Sequence, residues 1–329
     1  MLETQQIDTS KDTVTNITLS NKSHTSITVS NLGATLLSFK TPDKKSKLQD
    51  IVIGFGSIED YFNNADTYFG ASVGRVANRT ENARFSINGE TFQIGQNEGN
   101  NNLHSGPDGY QLHLWKINSL DESNNQISFK LDSPEGDQGY PGNLTLKVSY
   151  QLTEKNELKI GYKAISDKDT PLSPTNHSYS NLNGHASGSI ENHQLQLQAS
   201  TYTPIKDSES IPTGEIADVG GTPFDSRTSK TIGCDIEQDF EQLQLATAIG
   251  DKSGIKLETF TNLPGVQFYT GNFLNNHPGK FQVSYGKRHG FCLETQFFPN
   301  AINTPHFSSS ILKASTLTTY QTIYKVGTA

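Results

Sequence analysis

The chain has 329 residues, and its 26 basic and 34 acidic residues give a formal net charge of −8. That negative charge disfavours nucleic acid or an anionic membrane as a partner. No apolar run approaches the ~20 residues of a membrane-spanning helix, and the first residues show no secretory signal pattern. The two cysteines are too few for a disulfide framework and lack metal-ligand spacing, so a cytoplasmic location is expected.

Segments that alternate between apolar and polar residues recur along the chain and predict β-strands. In chain order they are residues 27–32, 85–87, 91–94, 144–150, 158–162, 193–197 and 255–258. Helical periodicity is scarce, and the best candidate is one short helix capped by Ser57. Asn88-Gly89 separates two alternating runs and predicts a hairpin, because both residues tolerate positive φ.

Many short strands with few helices predict an all-β fold, a large antiparallel β-sandwich. The chain contains no internal repeat, low-complexity tract or linker. We therefore expect a single domain over residues 1–329.

Five polar clusters interrupt the alternation and are the candidate sites, because reactive groups tend to lie on loops held by a rigid scaffold. They are residues 74–79, 100–106, 171–182, 232–240 and 290–300. Each cluster also has a structural interpretation. In the same order, these are a loop with a salt bridge, a turn-capping histidine, a surface loop, a turn aspartate and a half-exposed strand glutamate. Residue chemistry alone leaves these alternatives open.

The most informative cluster places Glu294 in an otherwise apolar and aromatic strand. Desolvation there should raise the pKa of its carboxyl group, which suits a general base. His104 and His177 lie among amide and hydroxyl side chains, where an imidazole can act as a hydrogen-bond donor or an acid. Because these histidines lie in separate loops, the sequence does not indicate a metal site, and we expect none.

The other seven histidines lie in segments without such a cluster of polar side chains; they are at positions 24, 113, 185, 193, 277, 289 and 306. We interpret them as structural or surface residues. The single tryptophan, Trp115, is expected in the core, with stacking on a sugar as the alternative.

Six segments in one order resemble the aldose 1-epimerase (galactose mutarotase) family. They are Gly-Arg-Val-Ala-Asn-Arg at 74–79, Asn-Leu-His-Ser-Gly at 102–106, Gly-Tyr-Pro-Gly at 139–142, Thr-Asn-His-Ser-Tyr at 175–179, Gln-Phe-Tyr-Thr-Gly-Asn-Phe-Leu at 267–274 and Leu-Glu-Thr-Gln at 293–296. The resemblance implies a galactose mutarotase-like β-sandwich with an open sugar cleft and no cofactor. It also implies an isomerase that interconverts the α and β anomers of free aldoses.

The resemblance also implies roles for individual residues. The implied catalytic residues are Glu294 as general base on the C1 hydroxyl, His177 as general acid on the ring oxygen, and His104 assisting them. The implied substrate-binding residues are Arg79, Asn78, Asp235, Gln267 and Tyr269. Cys234 stands where the family has an aromatic residue, and Asp239 is a shifted alternative to Asp235.

We therefore expect a small sugar such as galactose or glucose as the substrate, and no nucleic-acid or membrane partner. The alternatives are a non-catalytic sugar-binding module, or an epimerase that prefers another aldose, a disaccharide or a hexose phosphate. Phosphate recognition would require clustered arginine and lysine residues, which the sequence does not show. The preferred aldose, and whether the chain is a monomer or a homodimer, stay open.

Overall fold

The computed structural model describes residues 2–206, 209–233, 238–241 and 246–329, with the backbone alone for 238–241. Its strands, in chain order, are β1 Leu2–Asp8, β2 Thr13–Ser20, β3 Ser26–Ser30, β4 Thr35–Pro42, β5 Leu48–Asp50, β6 Ser72–Val73, β7 Arg79–Thr80, β8 Arg84–Ile87, β9 Glu90–Gln93, β10 Asn102–Leu103, β11 Lys116–Asp121, β12 Gln126–Ser133, β13 Leu144–Leu152, β14 Glu157–Ser166, β15 Thr170–Pro171, β16 Thr175–Asn176, β17 Gln194–Leu197, β18 Thr201–Thr203, β19 Ala217–Asp218, β20 Lys230–Thr231, β21 Gln238–Glu241, β22 Ala246–Ile249, β23 Ile255–Thr261, β24 Gly265–Tyr269, β25 His277–Pro278, β26 Ser284–Tyr285, β27 Cys292–Gln296, β28 Ile311–Leu312 and β29 Thr318–Thr328. The described helices are α1 Ile58–Asn63 and the 3₁₀ turns Ala65–Thr67, Glu81–Ala83, Tyr110–Leu112, Asp137–Gly139, Lys280–Gln282 and Ala301–Asn303.

Three sheets organise the described strands. The first has the order β1-β2-β3-β4-β5, the second has the order β11-β12-β13-β14-β29-β23-β22-β17-β20, and the third has the order β19-β18-β21-β24-β27. Neighbouring strands in all three sheets pair antiparallel, as in β13 with β14 and β24 with β27. The predicted all-β, antiparallel fold is confirmed.

Strand β13 shows why the alternating segments form sheets. From Leu144 to Leu152 every second side chain is buried and those between are half-buried. Successive side chains in a strand point to opposite faces, so this pattern turns one whole face toward the core. The register with β14 sets Leu144 opposite Ser166 and Leu152 opposite Leu158.

One buried apolar cluster joins the three sheets. It includes Val29 from β3, Val148 from β13 and Phe268 from β24. Trp115 lies in the same cluster and is only 1 % exposed, which confirms its predicted core position. Its indole N–H donates to the carbonyl of Tyr110 at 3.2 Å, so the polar edge of the ring is also satisfied.

The predicted turns form as the sequence indicates. Asn88 and Gly89 have φ of 53° and 82°, and they connect β8 to β9 in a tight hairpin. Ser57 caps α1, because its hydroxyl accepts a hydrogen bond from the Asp60 N–H at 3.2 Å. Across the described residues, every helix is too short or too polar to cross a membrane.

Candidate active site

A cleft of about 340 Å³ collects most of the residues that the sequence singled out. Seven of the eight predicted site residues line it: Asn78, Arg79, His104, His177, Gln267, Tyr269 and Glu294. Asp235, like Cys234, falls outside the described residues, and so does the side chain of Asp239. The volume lies in the range of small-molecule sites.

The central pair is His177 and Glu294, which come from distant parts of the chain. The Nε2 atom of His177 lies 3.5 Å from Oε1 of Glu294, and the two side chains are 6 % and 3 % exposed. An imidazole and a carboxylate at this distance, largely shielded from water, can act on one bound molecule as a proton donor and a proton acceptor.

Strand pairing sets the position of Glu294. It lies in the middle of β27, whose five residues are all buried. The register between β24 and β27 places Gln267 directly opposite Glu294. Asn78 donates from Nδ2 to Oε1 of Gln267 at 2.7 Å, so an amide pair lies beside the carboxylate.

His177 is fixed by its backbone and by two aromatic rings. Its N–H donates to Ala71 at 2.9 Å, and its carbonyl accepts from Gly70 at 3.0 Å. The imidazole stacks on the ring of Tyr68, with a centroid separation of 5.8 Å, and lies tilted by 31° against the ring of Tyr179, at 5.0 Å. Burial lowers the pKa of His177 to about 4, so the imidazole is neutral near pH 7.

The hydrogen bonds of His104 define its tautomer. Nδ1 accepts the backbone N–H of Asn78 at 3.1 Å, so in the neutral ring the hydrogen is on Nε2. Burial lowers the pKa of His104 well below its ordinary value, and the positive charges of His177, when that ring is protonated, and of Arg79 lower it further. His104 is therefore a neutral hydrogen-bond donor at the cleft.

The same tautomer argues against a metal ion at this cluster. Ligand atoms of His104, His177 and Glu294 lie within 4.8 Å of one another. A ligating imidazole coordinates through one nitrogen and normally donates its other N–H to an acceptor. His104 instead uses Nδ1 to accept from Asn78, which leaves no lone pair on Nε2 for a metal.

The two arginines of the 74–79 segment have different roles. Arg75 is 1 % exposed, and its guanidinium donates to hydroxyl groups and backbone carbonyls. Its acceptors are Ser133, Pro134, Pro141, Gly142 and Thr170. Arg75 is therefore structural, but the expected solvated loop with a salt bridge is wrong for it, because its partners are buried hydroxyl and carbonyl oxygens. Arg79 lines the cleft and forms the salt bridge of this segment, with Glu98.

Several cleft residues were missed by the sequence reasoning. Tyr68, Tyr179 and Glu98 all line the cleft. Tyr179 belongs to a motif that we quoted, and Tyr68 shortly precedes another, so proximity to the motifs was an available signal. His277, which the sequence led us to interpret as a structural or surface residue, also lines the cleft.

Comparison with known proteins shows the family to which the chain belongs. The family model described as aldose 1-epimerase matches residues 15–325. The chain is 39 % identical to a galactose mutarotase of Sus scrofa over 85 % of each chain, and 36 % identical to an aldose 1-epimerase of Escherichia coli K12 over 88 % of each. A crystal structure of an aldose epimerase homologue from C. elegans superposes with a TM-score of 0.90 at 28 % identity, covering 99 % of this chain and 100 % of that one.

The fold and the site together define an antiparallel β-sandwich with a histidine–glutamate pair in a cleft of small-molecule size. The chain belongs to the aldose 1-epimerase family, and it is an isomerase of that family.

Proposed function

We propose that this protein interconverts the α and β anomers of free aldoses such as galactose and glucose by general acid–base catalysis. The observation that carries the proposal is the 3.5 Å approach of the His177 imidazole to the Glu294 carboxylate in a cleft of small-molecule size. A sugar-binding module without catalysis would not require this pair. The family relationship supports the same reaction.

The reaction requires two proton transfers and one bond cleavage. Glu294 takes the proton of the C1 hydroxyl while protonated His177 gives a proton to the ring oxygen O5. The C1–O5 bond breaks and leaves an aldehyde. After rotation about C1–C2 both transfers reverse, and the ring closes on the other face. Each proton transfer contributes ~10²–10⁴-fold to the rate, and no step requires a cofactor.

The mechanism requires a particular protonation state of His177 and Glu294. The pair must carry one dissociable proton, on His177 before ring opening and on Glu294 after it. Burial lowers the pKa of His177 to about 4, so at pH 7 the free protein lacks this proton on His177. We infer that the cleft takes up this proton as the sugar binds, because excluding water strengthens the attraction between the imidazolium and the carboxylate 3.5 Å away.

Three groups are proposed to hold the sugar hydroxyls. His104 donates through Nε2, Arg79 donates through its guanidinium, and the amide pair of Asn78 and Gln267 offers both donors and acceptors. Tyr269 contributes an aromatic wall. The family resemblance adds Asp235 as an acceptor, which stays a prediction.

The charges at the cleft support an uncharged substrate. The ionisable residues other than histidine and tyrosine that line it, among those described, are Asp66, Arg79, Glu98 and Glu294. Three of these are acidic, and the one cation is paired with Glu98. A phosphorylated sugar would meet net repulsion, so free aldoses are favoured over hexose phosphates.

The test is the rate at which freshly dissolved α-galactose reaches anomeric equilibrium, followed by polarimetry. We expect the wild-type protein to accelerate equilibration, and Glu294→Gln and His177→Asn to lower kcat by ~10²-fold or more. Circular dichroism of each variant controls for folding. Rates in folded variants that match the wild type would contradict the mechanism.

Three further proposals come from the sequence. We propose that residues 1–329 form one domain, which the core shared by the three sheets supports. We also propose a cytoplasmic location and a small sugar as the partner, without nucleic acid or membrane. Size-exclusion chromatography with light scattering would distinguish a monomer from a homodimer.

A further inference from the structure

Glu98 holds the guanidinium of Arg79 at the edge of the cleft. Arg79 donates from Nε to Oε2 of Glu98 at 2.6 Å and from Nη2 to Oε1 at 2.8 Å. The two side chains are 18 % and 37 % exposed. Two parallel charge-assisted hydrogen bonds fix both the position and the rotation of a planar guanidinium.

This pairing determines which donors of Arg79 can reach a ligand. A guanidinium carries five N–H bonds, and the pair with Glu98 uses one on Nε and one on Nη2. The Nη1 edge takes no part in the pair. Because Arg79 and Glu98 both line the cleft, the carboxylate fixes the orientation of the guanidinium there and leaves its Nη1 edge for a ligand.

Hydrogen bonds within the loop 97–103 fix the position of Glu98. Asn97 accepts the Leu103 N–H at 2.7 Å through Oδ1 and donates to the Leu103 carbonyl at 2.9 Å through Nδ2. The backbone of Glu98 also accepts the Asn101 N–H at 2.9 Å. The loop then leads directly into His104, so one segment positions Glu98 and a proposed catalytic residue together.

We propose that Glu98 is a positioning and specificity-determining residue for substrate binding. It orients Arg79 toward the hydroxyl groups of a neutral aldose, and it neutralises the arginine so that anionic sugars are disfavoured. The inference rests on the proposed function, in which Arg79 contacts sugar hydroxyls. An arginine without this partner would suit a carboxylate or a phosphate instead.

The test uses Glu98→Gln, which keeps the side-chain shape but removes the charge and places an amide N–H against the guanidinium. KM for galactose should rise about tenfold, since hydrogen bonds to charged groups contribute at least that factor. The value of kcat should stay within about twofold, because the proton-transfer pair is intact. The ratio of kcat/KM for galacturonate to that for galactose should increase.

The matched control is Glu135→Gln. Glu135 also pairs with a basic residue, Lys168, but on the exposed surface and outside the cleft lining. This variant should match the wild type in KM, kcat and sugar preference. An unchanged KM in Glu98→Gln, or a loss confined to kcat, would overturn the proposal.

A second measurement is independent of activity. The Arg79 Nε–H resonance, assigned by nitrogen-edited NMR, should exchange slowly with solvent in the wild type and rapidly in Glu98→Gln. Equal exchange in both proteins would show that the carboxylate does not hold the arginine. If the wild type failed to accelerate mutarotation, the proposed function would fail, whereas this measurement would still decide whether Glu98 positions Arg79.

Discussion

His193 makes the stability of the fold depend on pH. It is fully buried, its Nε2 accepts the Leu182 N–H at 3.0 Å, and its Nδ1 lies 3.5 Å from a carboxylate oxygen of Asp251. Burial lowers the pKa of His193 to about 4, although Asp251 opposes the shift. The fold requires the neutral ring, because a proton on Nε2 would point at the Leu182 N–H.

The size of the effect follows from proton linkage. An unfolded histidine has a pKa of about 6.5, so between pH 6.5 and 4 the unfolded chain binds a proton that the folded chain does not. Acid therefore stabilises the unfolded state. From pH 7 to pH 5 this single group should lower the free energy of unfolding by about 2 kcal/mol, out of a full span of about 3 kcal/mol.

The assay compares the wild type with His193→Gln, in which an amide oxygen can still accept the Leu182 N–H but does not titrate. Urea unfolding at pH 7 and pH 5 is followed by the fluorescence of Trp115, the only tryptophan. The wild type should lose about 2 kcal/mol more than the variant between the two pH values. His177 titrates in both proteins, so its contribution cancels. Equal losses would refute the reasoning.

Two further predictions concern the buried arginine and the proton of the catalytic pair. Arg75→Met should lower the free energy of unfolding by about 3 kcal/mol or more, because it leaves several buried carbonyl groups without a donor. Urea unfolding measures the loss, and a loss below ~1 kcal/mol would contradict the prediction. Galactose binding at pH 7 should take up close to one proton per chain, since the pKa of His177 is about 4 in the free protein. Titration calorimetry of galactose binding in phosphate and in Tris buffer should therefore give different enthalpies. Equal enthalpies in the two buffers would contradict the proposed proton uptake.

The local sequence was sufficient to predict the strands and their turns. The alternation from Leu144 to Leu152 requires one face of a sheet to be buried, and that requirement depends only on residues two apart. The Asn88-Gly89 hairpin depends only on the φ values that those two residues tolerate. Such features are determined by near neighbours in the chain, so they can be read from it directly.

The local sequence predicted less about the site than about the strands. The recognised motifs identified most of the site residues, but not the contacts between them. Arg75 and Arg79 are chemically identical side chains in one motif, and only their surroundings make one a buried structural residue and the other a cleft residue. Glu98 gained its proposed role from its pairing with Arg79, which the residue pattern around it does not indicate.

The sequence by itself therefore determined the β architecture and the types of residue available for chemistry. The tertiary structure alone decided that His177 and Glu294 lie 3.5 Å apart and that burial keeps the imidazole neutral near pH 7. The physical reason is that distance and desolvation depend on every strand packed around the pair. These strands come from parts of the chain that are far apart in sequence.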